Sequence, residues 1–495
     1  MRRTPVASVA PALLLALALA FTASASAAAA AAPKPTVASE LARMLTADEI
    51  DQPAHDRYLG IYVDARTLRT KLTGARRSAL GAVLRNTDQI AGSGQLIASR
   101  LPAVFETVAR NRQWWSSGPL LRNGRRVSFA GSRIVWQYYS GEGLQIQWLG
   151  TFGKANGLWS GKYDDGLRSL LDETLALASQ RAGGIAFEYL LHFDGGSPPW
   201  VSGLAQGTAL QAFSRAAVRL NEPRFFQSAR SLLGIFREAP PSGVRVATPV
   251  GAHYLIYSFA PGLRVLNAFT QSLNGLNDFA LLANDAEGRA MFAAGEAQLR
   301  TELAAYDTGA WSRYSLKREA DLSYHTLARD FLRNLCTRLT DATKAPVPVP
   351  VPAAVAPSGG AVPPPPPTGG TPPLTPVAPI ADPVPYCGAA QRWPAYLNTA
   401  PKLALVSTRV RGGRPAALRL TIDKPAFVTV SLRRTGRTVA VLSARLGSGQ
   451  RSLRWRHPPR PGGIYTVRLS AKDLAGNLGA AVGKLRVLKA KKGSR

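Results

Sequence analysis

The chain has 495 residues and a formal net charge of +31, enough length for two or three domains and a charge that suits an anionic partner: an acidic polysaccharide, a wall polymer, a lipid surface or nucleic acid. A merely Arg-rich composition is the bland alternative. Beyond the first thirty residues no apolar run is long enough to span a bilayer, which excludes a membrane-spanning mature chain.

The chain opens "MRRTPVASVAPALLLALALAFTASASAAAA". Arg2 and Arg3, an apolar run from Ala10 to Phe21 and a tail of small residues have the layout of a secretory signal peptide over 1–30, with cleavage between Ala25 and Ala32. A secreted product, extracellular or wall-associated, is expected.

Residues 33–343 read as mostly helical. "RTLRTKLTGARRSALGAVLRNTDQI", "DDGLRSLLDETLALASQRA", "GTALQAFSRAAVRL", "RFFQSARSLLGIF", "RVLNAFTQSLNGLNDFALLA", "EGRAMFAAGEAQLRTELAAY" and "YHTLARDFLRNLCTRL" carry apolar residues at i, i+3, i+4 spacing. "GRRVSFAGSRIVWQYYS" reads as a short β-hairpin. Such paired helices can close into an α/α-barrel-like toroid or stack as an open array. Either arrangement gathers loops around a cleft at one end. Cys336 and Cys387 leave open a disulfide or two separate thiols.

From 344 to 386 a proline-rich tract predicts an extended linker. Beyond it, "ALRLTI", "AFVTVSL" and "IYTVRLSA" alternate apolar and polar residues between turn signals, predicting a small Ig-like β-sandwich over 399–489. From Pro401 onward 22 Lys and Arg face two acids, Asp423 and Asp473. This suggests either a tether to an anionic wall polymer or a spacer without a ligand.

Three segments of the helical region concentrate Trp, Tyr, Gly and Arg: 193–207, 251–267 and 306–325. Aromatic platforms with polar edges hold sugar rings, although aromatics at such junctions commonly serve packing. In order, these segments read Trp200, Ala205-Gln206-Gly207, Tyr257 with Pro261, Val265 to Phe269, Ser272 to Asp278, Asp307-Thr308-Gly309, Tyr314 and Tyr324-His325. That succession, over roughly 194–339, resembles the C-terminal catalytic domain of the D-glucuronyl C5-epimerase family, the heparosan and heparan sulfate glucuronyl epimerases.

The resemblance implies an α/α-barrel-like domain that inverts C5 of glucuronic residues in an acidic polysaccharide. Tyr257, Tyr314 and Tyr324 would be catalytic; Trp200, Gln206, Arg264, Asn267, Arg313, Lys317 and His325 would bind substrate. The C5 hydrogen lies alpha to a carboxylate, so its removal builds charge that cations and donors must stabilise. Inversion needs an acid/base group on each face of the ring. Nearby cations (Arg313, Lys317, Arg318, Arg264) are expected to lower the phenol pKa values, with Lys317 sharing Tyr314's face if that stretch is helical. The chemistry calls for no cofactor and no metal, and the partner is a uronic-acid polymer rather than nucleic acid. Where the family loop carries two glutamates, this chain has Leu255 and Ile256. Tyr138, Tyr139, Gln145 and Trp148 are further contact candidates. Two other readings remain: a uronate lyase that starts with the same proton abstraction, and an inactive glycan-binding wall protein.

Overall fold

The computed structural model describes residues 34–342, 384–459 and 462–489. The expected signal peptide and nearly all of the proline-rich tract lie outside the described residues.

Helices α1 (Val37–Thr46), α2 (Gln52–Lys71), α3 (Gly74–Gly92) and α4 (Leu101–Ser117) come first. Asp51 caps α2 by accepting from the Ala54 amide at 2.8 Å. The single periodic run expected over 66–90 is broken at Leu72 and Thr73, where Gly74 takes φ +56°. The expected hairpin is present and larger. Strands β1 (Arg126–Val127), β2 (Trp136–Tyr139) and β3 (Gly143–Ile146) form one antiparallel sheet.

Helices α5 (Trp148–Ser160) and α6 (Asp164–Leu175) lead to the ribbon β4 (Ser179–Arg181) and β5 (Gly184–Ala186). Helices α7 (Gly203–Arg219), α8 (Arg224–Ser231) and α9 (Leu233–Arg237) follow, then the ribbon β6 (Arg245–Thr248) and β7 (Gly251–Tyr254). Helices α10 (Leu266–Leu282) and α11 (Ala286–Glu302), the hairpin β8 (Arg313–Ser315) and β9 (Arg318–Glu319), and α12 (Leu322–Ala342) complete this region.

Helices α7 and α10 are buried along nearly their whole length. They approach where Gly207 meets Gly275: a Cβ on Gly275 would come within 1.9 Å of the Gly207 carbonyl oxygen. Asp278 then ties three helices together. It accepts from Arg338 of α12 at 2.5 and 3.0 Å, and from Arg215 and Gln211 of α7 at 3.1 and 3.0 Å. Removing any one donor would leave charge poorly compensated in a buried place.

Helix α13 (Val384–Tyr396) returns onto the helical region. A disulfide joins Cys336 of α12 to Cys387, with Cα atoms 5.0 Å apart. The Tyr386 hydroxyl donates to Glu296 of α11 at 2.8 Å.

The C-terminal region is sheet-rich. Strands β10 (Leu403–Leu405), β11 (Arg409–Arg411), β12 (Ala416–Ile422), β13 (Ala426–Arg434), β14 (Arg437–Leu446), β15 (Gly449–Trp455), β16 (Gly463–Asp473) and β17 (Leu478–Leu488) form two sheets. Their orders are β10-β12-β15 and β11-β17-β16-β13-β14. Along β16 every second residue from Tyr465 to Asp473 is buried, and Thr466, Arg468, Ser470 and Lys472 face out. Both sheets contribute to one core, which includes Leu420, Val430, Trp455, Val467 and Leu485. No helix among the described residues is long and apolar enough to cross a membrane.

Candidate functional site

Three elements bring the tyrosines together. Ser315 of β8 bridges to Val265 just before α10, so the β8–β9 hairpin lies against the start of that helix. Tyr314 packs with Ile256, Val265, Ala268 and Ala320 and is only 7% exposed. Asp321 caps α12 by accepting from the Tyr324 amide at 2.9 Å, which places Tyr324 in the first turn. The Tyr314 and Tyr324 rings lie 4.6 Å apart, and the Arg318 guanidinium sits 4.3 Å above the Tyr314 ring.

Tyr257 follows β7. It stacks on Phe259 at 5.1 Å and meets the edges of Trp200 at 5.3 Å and Phe193 at 5.6 Å. Trp200 stacks on Tyr189 at 4.4 Å, and Phe193 meets Tyr139 at 6.4 Å. Tyr257 therefore lies on an aromatic floor built from three stretches of chain, at 139, 189–200 and 257–259.

Burial governs the protonation of Tyr314 and Tyr257. The Tyr314 phenol is pushed up to about 12, first by burial and then by neighbouring Tyr324, with Arg318 pulling it partly back. Tyr257 is pushed up further, by burial and by the other tyrosines. The expectation that cations would lower these phenols is corrected: desolvation outweighs the single nearby guanidinium.

Two cavities flank the cluster. One of ≈540 Å³ is lined by Tyr314, Arg318, Tyr324 and residues of the C-terminal region. The other, of ≈660 Å³, is lined among others by Arg126, Leu149, Lys154, Leu327, Phe331 and Asn334. Tyr324, Leu327, Phe331 and Asn334 share one face of α12, so that face runs from one cavity to the other.

The remaining expected contacts divide. Trp200 is buried under Tyr257 with its Nε1 on the Leu191 carbonyl. Gln206 is fully buried, and its amide donates to the Phe187 carbonyl at 2.8 Å; it braces the chain before α7 rather than facing a cavity. Arg264 is paired with Glu302, which also accepts from His253 at 3.0 Å. Asn267 is buried, and neither of its amide atoms has a hydrogen-bond partner among the described residues.

His325 is a further correction. It is stacked 4.2 Å from Trp311, and its ring nitrogens face the Ser312 hydroxyl at 2.8 Å and the Trp393 carbonyl at 3.3 Å. Burial first, then nearby cations, pushes it down to about 4. It packs α13 and does not line either cavity. Lys317 sits exposed at the hairpin tip and Arg313 donates to the Leu316 carbonyl at 3.0 Å, closing that turn. Because this stretch is a hairpin and not a helix, Arg318 takes the place beside Tyr314 expected for Lys317.

Trp148 and Gln145 are buried with their donors on the backbone of Glu188 and Glu142. Tyr138 packs edge-on to Trp115, leaving Tyr139 as the member of that group nearest the aromatic floor. Phe259, Phe193 and Tyr189 were not singled out from sequence. Their only signal was the density of aromatics around 187–200 and 254–259.

Residues 182–344 match the family model described as D-glucuronyl C5-epimerase C-terminus. A stretch of 145 residues is 32% identical to the D-glucuronyl C5-epimerase of Caenorhabditis elegans, covering 27% of this chain and 24% of that protein. The chain thus spans about a quarter of that relative's length. Among solved structures, the endo-beta-1,4-glucanase CMCax from Acetobacter xylinum aligns at 14% identity and a TM-score of 0.31, over 44% of this chain and 72% of its own. A chain of the Titin M10-Obscurin like 1 Ig complex aligns at 22% identity and a TM-score of 0.13, over 18% and 97%. Neither structural likeness is close enough to inform the fold. The sequence matches and the ordered motifs agree in likening residues 182–344 to the D-glucuronyl C5-epimerase C-terminal family, a family of isomerases.

Proposed function

We propose that the protein is an exported epimerase that inverts C5 of glucuronic residues in an acidic polysaccharide. The observation that carries this is the convergence of Tyr257, Tyr314 and Tyr324, with Tyr314 and Tyr324 lining a cavity and Arg318 against one ring. Tyr314 and Tyr257, held protonated by burial, are suited to give a proton to C5. Tyr324, its ring 4.6 Å from that of Tyr314 at the cavity edge and 37% exposed, takes the C5 proton as its phenolate and becomes the phenol, while Tyr314 or Tyr257 gives its own proton to the opposite face and becomes the phenolate. Arg318 stabilises the charge that develops on the substrate carboxylate. The half-buried rings of Phe259 and Phe193, braced from beneath by buried Trp200, support the sugar ring. The basic rims at Arg126 and Lys154 suit a polymer with a carboxylate on alternate sugars. In this reading the helical region is an α/α-barrel-like domain and the C-terminal region an Ig-like sandwich.

The test is incubation with a heparosan-type polymer in deuterated water. Deuterium at C5 together with iduronic acid supports the proposal. An unsaturated, ultraviolet-absorbing product would mark a lyase, and no exchange on any glucuronate polymer would overturn the proposal.

A further inference from the structure

The cavity beside Tyr314 and Tyr324 is closed on its far side by the C-terminal region, through Pro425, Arg445, Leu446, Gly447 and Leu474. The two regions are pinned there. The Glu319 carboxylate, beside Arg318, accepts from the Ser448 amide at 3.0 and 3.1 Å. A Cβ on Gly447 would come within 2.7 Å of the same carboxylate, so the bare glycine lets the β14–β15 turn close onto the hairpin. Lys424 is buried and donates to the carbonyls of Tyr396 and Thr399 at 2.7 and 2.6 Å, and the Asn477 amide donates to the Leu397 carbonyl at 2.7 Å.

The charges in this cavity are unequally engaged. Glu319 is taken up by Ser448, and Asp321 caps α12. Arg318 covers Tyr314. Arg445, on the last turn-ward stretch of β14, is exposed and its guanidinium makes no ion pair or hydrogen bond among the described residues. A planar fork of donors facing a shared cavity is matched to a carboxylate.

We propose that Arg445 is a substrate-recognition residue of the tyrosine site, binding the carboxylate of a uronic sugar that neighbours the reacting one along the polymer. The inference rests on the epimerase reading and extends it: the C-terminal region is a wall of the active site as well as a basic module.

Two measurements on the full chain separate the proposal from the reading beneath it: binding of a heparosan-type oligosaccharide by calorimetry, and C5 exchange kinetics. Arg445→Gln should weaken binding and raise KM roughly tenfold, as loss of a charge-assisted hydrogen bond does, with kcat within about twofold and an unchanged melting temperature. Arg445→Lys should fall between. Arg437→Gln, an exposed change at the opposite end of β14, should behave as wild type. Wild-type binding and KM in Arg445→Gln, or an equal loss in Arg437→Gln, would overturn the proposal. Weakened binding in Arg445→Gln with no exchange in the wild type would support the contact and sink the epimerase reading. A wild type that neither binds nor exchanges would overturn both.

Discussion

The stretch from Asp307 to His325 has two different neighbours. Toward α13, Asp307 accepts from Trp393 and Tyr396 at 3.0 Å each and from Arg392 at 3.3 Å, while Trp311 and His325 stack with Trp393 beyond. Toward the cavity, Tyr314, Arg318 and Tyr324 make ring contacts and line open space, with the Tyr314 hydroxyl also meeting Tyr257. The first group is held by hydrogen bonds into α13 and the second borders a cavity. A continuous motif is thus divided by geometry: Asp-Thr-Gly and His hold the scaffold, and the tyrosines between them line the cavity.

Phe substitutions test this division most strongly. Tyr314→Phe or Tyr324→Phe keeps the ring and its packing, so thermal stability should barely move. C5 exchange should fall about 10²–10⁴-fold, the usual worth of a general acid or base. If each tyrosine serves one face of the sugar, one variant should retain exchange from one epimer only. Wild-type exchange in both variants and in Tyr257→Phe would place these rings with the packing residues and erase the contrast.

On the scaffold side the effects should be on stability. Cys336→Ser removes a cross-link with a sequence separation of 51 and should cost about 2–4 kcal/mol in denaturant unfolding. His325 should make stability pH-dependent. Its folded value is pushed down to about 4 from an ordinary 6.5, so the unfolded chain binds the proton first as pH falls. Stability is full above about pH 6.5 and declines until about pH 4, by up to roughly 3 kcal/mol. His325→Gln should flatten that part of the melting-temperature profile; an unchanged slope would show that the ring is not the group responsible.

A smaller effect is expected at Asp307. Burial opposes its charge, yet donors from Trp393, Gly309 and Tyr396 hold it below the usual carboxylate range. Its contribution is therefore present above about pH 4 and lost as pH falls through its folded value. Asp307→Ala leaves buried donors unpaired and should cost about 2 kcal/mol, with exchange by the folded fraction retained. A stability cost near zero would put Asp307 among the residues left free.

Periodicity made α6, α11 and α12 legible through one apolar face each, and α7 and α10 through apolar spacing even though they are buried nearly all round. The tyrosines came with the ordered motifs. What sequence could not show was which polar motif residues were already taken. Gln206 meets the Phe187 backbone, Arg264 meets Glu302, and His325 meets a tryptophan from α13. Each partner is distant in sequence, and spacing along the chain says nothing of it. Helix α13 itself was hidden by Pro385 and Pro394 at the end of a proline-rich tract. Arg445 was one arginine among many on a basic region, set apart only by the cavity it lines.

The disulfide changes what the tract between α12 and α13 can do. Its flanking helices are stapled to each other, so residues 343–383 begin and end on the same body. Their number does not set how far Arg445 stands from Tyr314. Lengthening or trimming the tract alters only the entropy of closing it, about 0.6 kcal/mol per doubling, and a single cut within it leaves both walls of the cavity covalently joined. Tract length is thus free to drift without resetting the site.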